Sequence, residues 1–147
     1  MDTTRRWLLG LIASMVLLSH EAMAGGSLAT PPNERWKAEC GSCHIAYPPP
    51  LLPADGWKRL MAGLDKHFGT DASLDPATAA EIGAYLERYA GSARRTRAAP
   101  GSLRITETAW FRHEHDEVPM KSAANCAACH TAAEQGDFRK RNIRIPR

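Results

Sequence analysis

Two short segments hold all four cysteines of this 147-residue chain: Cys40-Gly41-Ser42-Cys43-His44 and Cys126-Ala127-Ala128-Cys129-His130. Cys-x-x-Cys-His is the attachment pattern of a c-type haem. Two intervening residues let the thiols straddle the two vinyl groups of one porphyrin, and the adjacent His meets the iron from one face. Other chemistries fit less well. A dithiol redox pair leaves the His at both fifth positions unexplained. A zinc shared by the two pairs normally brings them closer in sequence and does not ask for His in both places. Two covalently bound haem c groups (iron) are therefore expected, contacted by Cys40, Cys43, His44, Cys126, Cys129 and His130.

What fills the sixth iron position decides between electron transfer and ligand chemistry. Six histidines are present. His20 lies in the N-terminal leader described below, and His44 and His130 belong to the motifs, which leaves His67, His113 and His115. His67 closes an amphipathic stretch and is the candidate for the first iron. Its rival is Met61, which lies on the apolar stripe of the same stretch and reads more simply as core. For the second iron, Phe111, His115 and Val118 fall at i, i+4 and i+7, which puts His115 on an apolar face. His113 shares a more mixed surface, and Met120, just past Pro119, is the weaker alternative. His115 is preferred. Paired imidazoles saturate an iron and give a low-spin haem of lower potential than a His/Met pair. Ligation needs the neutral ring, so acid should weaken it. Glu114, Asp116 and Glu117 flank this ligand and read as helix surface charge rather than as groups that orient it.

Around these residues the chain divides readily. Arg5 and Arg6 precede an apolar run from Trp7 to Leu18, and Ala22-Met23-Ala24 offers a small-x-small cleavage site. Residues 1–24 thus read as a secretory signal peptide. The apolar run is too short to span a bilayer comfortably, so no stable membrane insertion is expected after cleavage. A periplasmic location follows, since haem c is attached on the far side of a membrane. Cleavage removes two arginines and two acids, so the formal charge of +3 is unchanged. Four haem propionates would offset that charge, and no nucleic-acid partner is inferred from the basic balance.

Residues 25–91 are read as an N-terminal haem domain. A short helix over 33–40, entered after Pro31-Pro32, delivers the first motif. The proline-rich stretch 47–53 must be extended. A helix over 54–68 carries Trp57, Leu60, Met61, Leu64 and Phe68 at helical spacing. Asp75-Pro76 caps a last helix whose buried face holds Ile82, Leu86 and Tyr89. This order resembles a minimal class I cytochrome c. Residues 92–102, without apolar periodicity, are read as a solvated linker. Residues 103–147 form a small C-terminal haem domain, with a helix capped by Thr106 and running to about Glu117. Such a short unit cannot bury enough surface alone, so it is expected to pack on the first domain, with haem serving as core in both. Trp36, Trp57 and Trp110 are expected against porphyrin. Arg139, Lys140, Arg141, Arg144 and Arg147 read as a solvated basic tail. The fold class expected is all-α, with the second domain partly irregular.

A resemblance runs through the same residues. Cys40 to Pro53, Leu60-Met61 and His67-Phe68-Gly69-Thr70-Asp71-Ala72-Ser73-Leu74 resemble the bacterial periplasmic dihaem cytochrome c family. So do Arg104-Ile105-Thr106-Glu107 before Trp110-Phe111, Ala124 to His130, and the closing Ile143 to Pro146. The resemblance implies two bis-histidine haems, with His44 and His67 on one iron and His130 and His115 on the other. It also implies redox partners: a membrane cytochrome b as donor and a small monohaem cytochrome as acceptor. On this reading the protein is a monomeric electron carrier and not an enzyme. The alternative is a haem enzyme or gas-binding sensor with one open coordination site, peroxidase-like in the first case.

Overall fold

The computed structural model describes residues 28–96 and 98–146. The expected leader, residues 1–24, lies outside the described residues, as does Arg147. Helix α1 (Glu34–Cys40) begins at Asn33, whose side chain accepts from the Trp36 N–H at 2.7 Å. This capping bond satisfies one of the four amide donors that a helix start leaves open. Helix α2 (Ala54–Met61) and helix α3 (Pro76–Arg88) pack against each other. Asp75 caps α3 through Ala77 N and Thr78 N, and Pro76 occupies the first turn where no amide partner is lost. Thr78, Ile82, Tyr85 and Leu86 lie on one buried stripe of α3.

The core sits between these helices: Leu52, Trp57, Ile82, Tyr85 and Leu86, fringed by Trp36, Tyr47, Leu74, Tyr89 and Ile105. Trp57 is committed to it, and its indole N–H donates to the Pro49 carbonyl at 2.7 Å. Trp36 tilts against Tyr85 with ring centroids 5.3 Å apart, which ties α1 across α3. Ile105 comes from the second half of the chain, so the two halves share this core.

Several expectations are corrected by the structure. The helix over 54–68 ends at Met61; Gly63 follows, then one 3₁₀ turn over Leu64–Lys66. The apolar spacing is satisfied by an α-helix and a tighter turn in succession, which periodicity cannot tell from one longer helix. The proline stretch is not wholly extended. Pro49–Leu51 form a 3₁₀ turn that the fixed proline φ tolerates, and Pro48 and Pro49 are fully buried. The cap of the second-half helix, α5 (Ala109–His115), is Thr108 rather than Thr106. The Thr108 hydroxyl accepts from Phe111 N and donates to the Ile105 carbonyl, and a 3₁₀ turn over Ile105–Glu107 takes up the residues before it.

The stretch expected as solvated linker folds down instead. Helix α4 (Ala93–Thr96) packs on α5, with Thr96 buried and the Arg95 guanidinium 5.2 Å from the Trp110 ring centroid. The Ser92 carbonyl accepts from Arg95 N, Thr96 N and the Thr96 hydroxyl, so one helical turn closes on itself without an apolar period. The basic C-terminus is likewise not a loose tail. Thr131 N donates to Asn142 O at 2.9 Å and Arg144 N to Cys129 O at 2.8 Å, which lays 139–146 alongside the second motif. Asp137 pairs with Arg139 and Arg141. Among the described residues strand pairing is confined to isolated bridges such as His130–Ile143 and Pro53–Gly91.

Gly91 makes the last of these possible. Its amide donates to Leu52 O at 2.9 Å, and a Cβ there would sit 2.2 Å from Pro50 O and 2.8 Å from Thr96 Cγ2. Gly83, on α3, has open space where its Cβ would stand. Gly91→Ala should therefore destabilise the protein by ~1–3 kcal/mol through overpacking against backbone. Gly83→Ala should stabilise by about 0.5–1 kcal/mol through helix propensity. Thermal unfolding of the two holoprotein variants, followed in the far ultraviolet, checks this opposite pair of signs.

Candidate haem sites

The first site is built where α1 ends. Cys40 is its last residue, Gly41 turns the chain, and the exposed Cys43 and His44 follow. His44 Nδ1 lies 2.7 Å from the Ile45 carbonyl. A carbonyl only accepts, so Nδ1 carries the proton and Nε2 is left with its lone pair free. The ring facing His44 is that of His67, with centroids 6.1 Å apart and planes at 31°.

His67 is held by a loop rather than by a helix. Ala72 N donates to Leu64 O at 2.9 Å, and Thr70 N to His67 O at 3.0 Å, which closes a tight turn through Phe68 and Gly69. Both central residues have positive φ, +51° at Phe68 and +101° at Gly69. Glycine takes that conformation freely, whereas a non-glycine residue held there costs ~1–3 kcal/mol and persists only when its surroundings fix it. Here the surroundings are visible. The Phe68 ring packs edge-on to His67 at 4.8 Å, and the Arg104 guanidinium from the second half lies 4.4 Å from its centroid.

The second site has the same plan with different parts. The motif opens on a 3₁₀ turn, Cys126–Ala128, and His130 N donates to Cys126 O at 2.8 Å. Opposite His130 stands His115, with centroids 6.0 Å apart and planes at 68°. His115 is the last residue of α5 and stacks on Phe111 at 4.1 Å and 16°, one turn back. Its Nδ1 lies 2.9 Å from the Phe111 carbonyl, which again protonates Nδ1 and leaves Nε2 free. His113 points elsewhere on the same helix and is exposed. His130 Nδ1 is buried with no hydrogen-bond partner among the described residues, so this ring lacks the carbonyl anchor that His44 has.

The ring spacings can be tested against the group that the motifs imply. Two imidazoles bound to opposite faces of one metal, at about 2.0 Å per metal–nitrogen bond, place their ring centroids about 6 Å apart. Both pairs meet that spacing. Rotation of a ring about the nitrogen–metal axis breaks no bond, so angles of 31° and 68° are equally admissible. Electrostatics point the same way. Burial, and secondarily the facing His44, lowers the His67 pKa; burial, and secondarily His115, lowers that of His130. Both rings are thereby biased toward the neutral form that a metal requires.

The thiols also fit thioether chemistry better than the alternatives. Burial, with a smaller push from Glu39, raises the Cys40 thiol to about 11, and burial raises Cys126. Neither is a ready thiolate, as a redox nucleophile or zinc ligand would be. Among the described residues no three His, Cys, Asp or Glu side chains converge on one point. Met61 packs on the N-terminal core and lines an open groove between α2 and α3.

Several contributors carry no local sequence signal. Phe68 looks like the end of an apolar stripe, and its positive φ arises only from the turn. Arg104, Thr108 and Tyr47 act through partners that only the folded chain supplies.

A family model for dihaem cytochrome c matches residues 36–138. Among solved structures, the chain is similar to a dihaem cytochrome c from Rhodobacter sphaeroides, at 44% identity and a TM-score of 0.67. That match covers 74% of this chain and 98% of the other. It is also similar to one from Shewanella baltica OS155, at 41% identity and a TM-score of 0.67, covering 80% of this chain and 95% of the other. No curated protein matches. With two attachment motifs, two apposed imidazole pairs and this coverage, the chain belongs to the dihaem cytochrome c family and binds two covalent haem c groups.

Proposed function

We propose that the protein is a periplasmic one-electron carrier in which both haems have two histidine ligands, His44 with His67 and His130 with His115. The observation that carries this reading is the pair of ring spacings, 6.1 and 6.0 Å, each spanning an attachment histidine and a histidine from a distant segment. When bound, the haem irons supply the reversible one-electron couple. The chain's own residues then do three things. Cys40, Cys43, Cys126 and Cys129 fix the porphyrins covalently. The carbonyls of Ile45 and Phe111 hold two of the four rings in the tautomer that leaves Nε2 free. Ligation from both faces leaves no site for a substrate and little to rearrange on reduction, which favours a carrier over a peroxidase or gas sensor.

The sequence pattern of residues 1–24, with Arg5 and Arg6 before an apolar run and Ala22-Met23-Ala24 after it, supports the location. The donor is proposed to be a membrane cytochrome b and the acceptor a small monohaem cytochrome. Charge distribution is compatible with two such partners. Residues 25–91 carry six basic and eight acidic side chains, and residues 92–147 carry eleven basic and six acidic. The halves thus present opposite signs, and each favours encounter with a partner of complementary charge.

The ligand assignment has a direct check. His67→Met and His115→Met should each convert one haem to His/Met ligation, leaving the other spectrum unchanged. Each should raise one midpoint potential by roughly 100–300 mV, within the ~0.8 V that axial ligands command. His113→Met should change neither; if it shifts the second haem while His115→Met does not, the assignment is wrong. Carbon monoxide should leave the reduced native spectrum untouched and bind one haem of His115→Gly.

Acid gives a second check. The folded-state pKa values of His67 and His130 are depressed, so the folded chain takes up protons less readily than the unfolded chain. The contribution to stability is therefore full above the ordinary imidazole value of about 6.5 and is lost as pH falls below it. Low-spin absorption bands followed from pH 8 downward should hold through neutrality and collapse only on the acid side. Collapse on raising the pH through neutrality would contradict the sign.

A further inference from the structure

Tyr47 touches both haem sites. Its ring lies 4.8 Å from that of His44, tilted by 32°. Its hydroxyl donates to the Ala124 carbonyl at 2.8 Å, two residues before Cys126. Among the described residues, Tyr47 is the side chain that reaches the immediate surroundings of both attachment motifs.

The two ends of this bridge differ in rigidity. Tyr47 leads into Pro48 and Pro49, both fully buried, and Pro49 is pinned by the Trp57 indole N–H. Proline fixes φ, so Tyr47 stands on one of the stiffest parts of the N-terminal core. Ala124 lies in the stretch between α5 and the second motif, which has no regular structure. Within this stretch the backbone bonds are local turns, Val118 N to His115 O and Asn125 N to Ser122 O. Among the described residues, the Tyr47 hydroxyl makes the long-range hydrogen bond that fixes this stretch to the rest of the molecule.

We propose that Tyr47 is a positioning residue shared by the two haem sites, holding the second attachment loop against the first site so that the surroundings of the second haem are set partly from the first motif. This rests on the two-haem assignment, whose failure would show separately as a haem count other than two per chain. The test is Tyr47→Phe in the holoprotein, which keeps the ring beside His44 and removes only the hydroxyl. Amide exchange over residues 122–130 should rise roughly two- to ten-fold, as expected for one hydrogen bond, with α2 and α3 unchanged. The midpoint of the second haem, identified through the His115→Met variant, should shift, while the first haem keeps its absorption spectrum. Tyr47→Leu, which also loses the ring, should shift both haems. Unchanged exchange over 122–130 in Tyr47→Phe would overturn the proposal. So would faster exchange without any shift of the second midpoint, because the tie would then be structural and would not reach the haem.

Discussion

Two imidazole rings are kept about 6 Å apart with room left between them, and this is done twice in a short chain. Such an arrangement does not form spontaneously. Burial, and secondarily the ring facing each, makes protonation of His67 and His130 unfavourable. The polypeptide meets the constraint by anchoring backbones. One ring of each pair sits beside its attachment cysteines. The other arrives on a separately stabilised unit, the closed loop 64–72 for His67 and the capped helix α5 for His115.

The same constraint accounts for the uneven distribution of core. The N-terminal half has a contiguous apolar cluster between α2 and α3. In the second half the buried apolar side chains among the described residues are Phe111 and Ala133. A segment with so little apolar burial cannot offset its conformational entropy unaided. It is held by attachments of other kinds: Ile105 in the first core, Arg104 on Phe68, Arg95 on Trp110, Tyr47 to Ala124, and the 139–146 segment along the motif. A covalent, mostly apolar cofactor supplies what this list lacks. The strained Phe68 belongs to the same economy, because the turn that presents His67 needs positive φ at two successive positions and only one is glycine.

The two sites are similar in spacing but not in support. His44 is oriented by its neighbour's carbonyl, while in the second pair it is His115 that is so oriented and His130 Nδ1 has no hydrogen-bond partner among the described residues. A hydrogen bond from Nδ1–H to a carbonyl raises the basicity of the ligating nitrogen. On the proposed ligation the chain would support the two haems unequally, which gives a physical source of inequivalence between them.

Much of this was written in the sequence. The attachment chemistry depends on residue type and on a spacing of five, both local, so Cys40–His44 and Cys126–His130 were legible outright. The cap at Asp75-Pro76 and the stripe on α3 follow from short-range rules, and the i, i+4 relation of Phe111 and His115 places on the apolar face the ring that the fold sets opposite His130. Tertiary structure decided the rest, because residue type and apolar spacing leave those features open. An α-helix followed by a 3₁₀ turn has nearly the apolar pattern of one long helix, so only folding showed that His67 stands on a loop. Thr106 and Thr108 are equally good caps by residue type, and the choice went to the one whose hydroxyl could also reach Ile105 O. The segment after Gly91 has no period to read, since a single helical turn buries one residue, Thr96, against elements that sequence cannot place beside it.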